Sequence, residues 1–251
     1  MEVRYRIKAL PNGRCAVAGN HAFLGGDPRE KYTYFLFLWL IEGGPKPILV
    51  DAGLRNVDEM NAGAAHVLAE PIVQPPDQTT RAQLAAHGVA PEDVGAVIIT
   101  HLHFDHVDEL DIYPNARIVV SKRGLEAATA FPGWHGSWAP FKTLQGLTQD
   151  WKDRVLAADD AEILPGIRTM WLGGHTPCSQ AVLVQTEIGR VALTGDTVSL
   201  LANFERGVPV GVAVDYQQCR DAMNRLRQAA DVVVPSHDPS VFTRFPNGVI
   251  G

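Results

Sequence analysis

The sequence predicts an α/β fold in which two mixed β-sheets pack together with helices on their outer faces. Three observations point there. Apolar runs of strand length and amphipathic helical patterns alternate through both halves of the chain. No low-complexity stretch or short repeat interrupts them. Finally, four strand-like runs end on a histidine or an aspartate: VIIT on His101, IRTMWLGG on His175, RVALTG on Asp196 and VVVPS on His237. In α/β architectures the carboxyl ends of strands converge on one crevice, so these four ends are expected to meet.

The elements follow in order. RYRIKAL alternates polar and apolar residues, as a half-buried strand does. YTYFLFLWLI (Tyr32 to Ile41) and PILVDAG are continuous apolar runs that read as central strands. The first is only about half the roughly 20 residues a membrane helix needs. DQTTRAQLAAHGV reads as a helix, with Asp77 as N-cap and Gly88 as its stop. VGAVIIT is a strand, the histidine-rich stretch a loop, ARIVVSK a strand and KRGLEAATA a helix. Residues 131–151 are irregular and aromatic, either a lid or a packed excursion. GIRTMWLGG, SQAVLVQTE and RVALTGD are strands. In DYQQCRDAMNRLRQAAD, Cys219, Met223, Leu226 and Ala230 fall near one helical face. The strand DVVVPSH closes a chain read as one domain over 1–251.

Composition narrows the functional classes. A chain of 251 residues can bury a sizeable core. Its net charge of −6, without a lysine or arginine block, argues against a nucleic-acid surface. The start MEVRYRIKAL has no apolar signal-peptide region. Three cysteines, Cys15, Cys178 and Cys219, are odd in number and lack metal-type spacing, which fits reduced thiols in a cytoplasm. The expected partner is a small-molecule substrate, with no nucleic acid and no membrane, and both a monomer and a homodimer stay open.

The chemistry concentrates in THLHFDHVDELD, with the spacing His101-x-His103-x-Asp105-His106. In an extended segment alternate side chains share a face, so His101 and His103 can grip one metal ion. A turn at Asp105 and His106 aims that pair at a second. A lone histidine at a strand end is usually a core or turn residue. Beside so dense a motif, His175, Asp196 and His237 read as further ligands. Imidazole and carboxylate suit zinc, and iron, manganese or cobalt can take the same donors. Asp196 can bridge two cations about 3.5–4 Å apart that share a hydroxide, since metal lowers the pKa of bound water from 15.7 to roughly 7.

Together HLHFDH, GGHTP, TGD and the late SH resemble the metallo-β-lactamase superfamily, and LVDAG matches its first motif. Length, motif order, the early PNGRCAV and the phenylalanine inside HLHFDH make the whole chain similar to the N-acyl homoserine lactonases. The resemblance implies an αββα four-layer sandwich and a dinuclear metal-dependent hydrolase acting on a lactone. It implies that His101, His103 and His175 hold one divalent ion. Asp105, His106 and His237 would hold the other, with Asp196 between them. Asp51 would orient a ligating histidine, and Asp105 would also move a proton.

The chain departs from that pattern at three places. Val107, Asp108 and Glu109 replace a small residue and two glycines. Cys178 and Ser179 follow HTP, where those lactonases have glycine and often histidine. Ser199 stands where they carry a tyrosine directed at the substrate carbonyl. These changes bear on the substrate rather than on the fold. Phe104, Ser199, Trp134, Trp138, His21 and Phe23 are candidate substrate contacts, while His66 and His87 read as surface or helix residues. Two further readings compete: hydrolysis of another small electrophile (an aryl ester, amide or thioester), and a non-catalytic ligand-binding member of the fold.

Overall fold

The computed structural model describes residues 3–130 and 139–251. Trp134 and Trp138 therefore lie outside the described residues. One sheet contains β1 (Arg6–Ala18), β2 (Lys31–Glu42), β3 (Ile48–Val50), β4 (Leu68–Val73), β5 (Ala96–Ile98), β6 (Arg117–Val120), β7 (Val155–Ala157) and β13 (Val249–Ile250). Its order is β13-β1-β2-β3-β5-β6-β7, with β4 added on β1. The second contains β8 (Glu162–Leu164), β9 (Ile167–Trp171), β10 (Gln180–Thr186), β11 (Gly189–Leu193) and β12 (Val232–Val234), in the order β12-β11-β10-β9-β8. Both are mixed: β3, β5, β6 and β7 run parallel, as do β11 and β12, and the remaining pairs are antiparallel.

Among the described residues the helices are α1 (Gly19–Ala22), α2 (Val57–Gly63), α3 (Thr80–Ala86), α4 (Phe104–Val107), α5 (Lys122–Ala130), α6 (Phe141–Gln145), α7 (Leu201–Arg206), α8 (Tyr216–Ala229) and α9 (Val241–Arg244). Strand periodicity explains the layers. Along β2, Phe37, Trp39 and Ile41 point between the sheets and meet Val182, Val184, Val191 and Leu193. Leu38 and Leu40 point the other way, into a cluster with Leu84 of α3 and Ala128 of α5. Both faces of β2 are covered, which is why its sequence is apolar without alternation. On the far side of the second sheet, Ala181, Leu183 and Ala192 pack against Ala222, Met223 and Leu226 of α8. The result is the expected αββα sandwich.

Several local expectations change. The N-cap of α3 is Thr79, whose hydroxyl accepts from Ala82 N at 3.4 Å. Asp77 instead sits in a 3-10 turn over Pro76–Gln78, because the Pro75-Pro76 pair starts a tight turn before the α register begins. Gly88, at φ +70°, does follow the helix end. Ala230 is the C-cap of α8, while Ala222 joins the buried face in its place. Within the segment expected to be irregular, α6 and a π-helical turn over Gly146–Asp150 are regular. Leu144 and Leu147 bury one face of it. β1 continues well past the alternating stretch, with a register irregularity between Pro11 and Arg14. There the Asn12 side chain accepts from Leu54 N at 2.8 Å and donates to Gln78 O at 2.9 Å, fastening the loop after β3. Among the described residues no helix is long and apolar enough to cross a membrane.

Candidate metal centre

Four loops at strand ends meet, as the sequence predicts. His101 and His103 follow β5, and α4 then turns Asp105 and His106 toward the same point. His175 lies past β9, after Gly173 and Gly174 at φ +65° and +78°. A Cβ on Gly174 would stand 2.6 Å from Cys219 N, so only glycine lets this loop lie against α8. Asp196 sits in a 3-10 turn after β11, and His237 follows β12.

The side chains form two adjoining groups. His101 Nε2 is 3.0 Å from His103 Nδ1, which is 3.1 Å from His175 Nε2. Asp196 Oδ2 lies 3.8 Å from His101 Nε2 and 3.7 Å from His175 Nε2. Its other oxygen, Oδ1, lies 3.4 Å from His106 Nε2 and 2.9 Å from His237 Nε2. Asp105 Oδ2 completes that second group, 3.5 Å from His106 Nε2 and 4.0 Å from His237 Nε2. Asp196 is thus shared, one oxygen to each group.

These donors fit divalent cations. Metal–nitrogen distances of about 2.0–2.1 Å in a tetrahedral site place neighbouring donor atoms roughly 3.3 Å apart. The separations here scatter around that value. His106 Nε2 is buried and has no hydrogen-bond partner. Leaving such an atom unsatisfied is costly, and a cation between it and the carboxylates removes the cost.

The outward nitrogens are held as metal-binding histidines require. His106 Nδ1 meets Asp51 Oδ2 at 2.7 Å. His175 Nδ1 meets Val212 O at 2.5 Å, and His237 Nδ1 meets Phe35 O at 2.9 Å. His101 Nδ1 contacts Thr100 Oγ1 at 3.1 Å, and that hydroxyl donates to Asp51 Oδ2 at 3.0 Å. Asp51 also accepts from Thr100 N at 2.8 Å and adopts φ +65°, rare for a residue with a side chain. Asp51 therefore stands behind both groups, directly at His106 and through Thr100 at His101.

Electrostatics follow the same division. Burial, reinforced by neighbouring imidazoles, holds His101 and His103 well below the usual histidine pKa. Burial likewise lowers His175. Burial also opposes charge on His106, but Asp105, Asp51 and Asp196 outweigh it and hold this imidazole well above its usual range. For Asp196 burial opposes ionisation, and His237, His101 and His106 overcome it, keeping the carboxyl well below its usual value. The pocket is organised for positive charge.

The remaining candidates lie at different depths. Phe104 is half-buried and packs on an apolar cluster that includes Phe23, Leu200 and Tyr34. Phe23 is buried, edge-on to Tyr32 at 5.1 Å. His21 is half-buried with Nδ1 unpartnered. Ser199 is buried, its hydroxyl 3.5 Å from Asp196 O. Cys178 is buried too, accepting from Leu102 N at 3.3 Å, with burial pushing its thiol up to about 11. It packs and positions the histidine loop. All three cysteines are free.

Three residues about the centre escape a reading by ligand type. Thr100 couples His101 to Asp51. Ser236 donates to Asp196 Oδ1 at 2.8 Å. Tyr34, on β2, lies parallel to His237 with ring centroids 4.9 Å apart. Thr100 and Ser236 each directly precede a candidate ligand, which marks them in the sequence. Tyr34 arrives from a distant strand and carries no such mark.

The chain is similar to several known proteins. An N-acyl homoserine lactonase of Bacillus sp. is 28% identical over 242 residues, spanning 94% of this chain and 91% of the relative. The N-acyl homoserine lactonase AttM of Azorhizobium caulinodans is 30% identical over 179 residues, 67% of each chain. A solved N-acyl homoserine lactone hydrolase, with the product N-hexanoyl-L-homoserine bound at its catalytic metal centre, superposes with a TM-score of 0.82. It is 24% identical, and the alignment covers 98% of this chain and 99% of that one. The family model described as the metallo-beta-lactamase superfamily matches residues 37–237, and with that span of the chain accounted for, the protein belongs to the metallo-β-lactamase superfamily.

Proposed function

We propose that this metallo-β-lactamase-fold hydrolase opens a lactone of the N-acyl homoserine type, using two divalent metal ions. His101, His103 and His175 would hold one ion, Asp105, His106 and His237 would hold the other, and Asp196 would serve both. The observation that carries the reading is the division of Asp196, with Oδ2 turned to one group of nitrogens and Oδ1 to the other. Zinc is the first candidate for both positions. Two such ions would supply a nucleophile at neutral pH and polarise the carbonyl.

The chain's own residues do the rest. Asp51 fixes the tautomer of His106 by accepting a hydrogen bond from its Nδ1–H, leaving the Nε2 lone pair turned inward. Asp105 presents one oxygen to His106 and His237, and its second oxygen serves the leaving group. As the ring C–O bond breaks, the departing alkoxide takes a proton from Asp105, which had received it from the attacking water. The products are a carboxylic acid and an alcohol on one open chain. The length and motif order of the chain, and the lactonases it resembles over 94% of its sequence, support a lactone as substrate.

Ser199 favours a second reading, in which the carbonyl belongs to an aryl ester or another small electrophile. Acid release by the zinc-loaded protein, followed by pH-stat over acyl homoserine lactones, aryl esters, amides and thioesters, separates the two. Preferred opening of the lactones is expected. Turnover of aryl esters with none of lactones overturns the first reading.

A further inference from the structure

Four of the five tyrosines have settled acceptors. Tyr5 donates to Pro165 O, Tyr113 to Ala52 O, Tyr216 to Gly211 O and Tyr32 to a Glu30 carboxylate oxygen, at 2.7–3.1 Å. Tyr34 is placed differently. Its ring stacks on His237 at an interplanar angle of 13°, and its hydroxyl faces the hydroxyl of Ser199. Ser199 belongs to the turn that carries Asp196, and its carbonyl accepts from His237 N at 2.9 Å. The phenol therefore stands at the rim of the second group of ligands, beside both Asp196 and His237.

A hydroxyl partner differs from a carbonyl because it can reverse its bond. When Ser199 donates to Asp196 O, its oxygen is open to the Tyr34 proton. When it turns and donates to the phenol oxygen, the phenol O–H is free to point toward the site. Ser199 is buried and Tyr34 nearly so, and a donor held in such surroundings needs little reorganisation when charge develops nearby.

We propose that Tyr34 donates a hydrogen bond to the substrate carbonyl oxygen, with Ser199 holding the phenol in register between turnovers. This inference rests on the hydrolase reading above. During attack the carbonyl π-bond opens and its electron pair moves to oxygen. The Tyr34 proton stays on the phenol while its hydrogen bond strengthens, so no atom is transferred. Ser199 is then the small residue that leaves room for a phenol supplied by β2.

Tyr34→Phe tests this, because it keeps the ring on His237 and deletes only the hydroxyl. On a lactone that the parent opens, kcat should fall roughly 10²–10³-fold, the usual effect of losing an oxyanion donor, with KM changed only a few-fold. Zinc content should stay at the parental value. The ring-opened N-hexanoyl homoserine carries charge on the same carboxyl oxygens, so its Kd should weaken roughly tenfold or more. A Tyr34→Phe protein with parental kcat and parental product affinity overturns the proposal. So does one that loses zinc, which would make the phenol a support for His237 alone. The lactone reading fails separately, on a parent that opens no lactone. In that case the product Kd still decides Tyr34, since equal values in parent and variant reject it.

Discussion

Replacing Asp51 with asparagine keeps the shape of the side chain and changes only its hydrogen-bonding sense. Oδ1 accepts from Thr100 N at 2.8 Å, while Oδ2 meets both His106 Nδ1 at 2.7 Å and Thr100 Oγ1 at 3.0 Å. Asparagine can reproduce the first contact, but then its NH2 faces His106. The imidazole must give up its Nδ1 proton and carry it on Nε2, the atom that faces Asp105 and Asp196. The flipped amide sets its NH2 against Thr100 N instead, donor against donor. Either way one group of ligands loses its inward lone pair or its backing.

Residues that support ligands in this manner are worth about 10–100-fold in metal affinity. His106 touches Asp51 directly while His101 reaches it only through the Thr100 hydroxyl, so the larger loss should fall on the second site. Asparagine also tolerates φ +65°, so the backbone itself is not strained by the change. Chelator competition should show one of two zinc ions weakened by about 10–100-fold, with the other near parental. Parental affinity at both positions would refute the tautomer argument.

The other perturbations separate the parts of the account. Asp196→Ala removes the carboxylate shared by both groups, so calorimetric titration with zinc should show both affinities reduced; one undisturbed site would contradict sharing. Asp105→Asn preserves size and removes basicity, and kcat on a lactone should drop about 10²-fold or more; turnover within a few-fold of the parent removes Asp105 from proton transfer. Glu109 is buried with Oε2 unpartnered, and burial raises its pKa. A carboxyl raised on folding contributes most below the unfolded value of about 4.3, and that contribution is lost as pH rises through the folded pKa. Glu109→Gln should therefore raise Tm by a few degrees at pH 7 and by nothing below about pH 4; an unchanged Tm at pH 7 argues against this linkage.

Much of the site is legible in the chain because ligands cluster where strands stop. The apolar periods of VIIT and VVVPS place His101 and His237 at such ends, and the dense HLHFDH stretch singles out candidate metal ligands. Asp51 is readable for the same reason, just past ILV. What escapes depends on register between distant segments. Ser199 reads as the loss of a phenol, yet β1 and β2 pair so that Tyr34 lies opposite Cys15 and reaches that serine from another strand. The cap of α3 is misplaced because two prolines shift the helix start, and the helix after residue 140 is hidden by glycine and aromatic residues around Leu144 and Leu147.

The central claim is that two cation sites joined by Asp196 act as one hydrolytic centre. Metal-free protein titrated with zinc, while lactone opening is followed in the same sample, tests it most directly. Activity should keep rising until two equivalents per chain are bound, with the second equivalent needed for most of the turnover. Full activity at one equivalent, or activity independent of zinc and of any other divalent metal, would contradict the account.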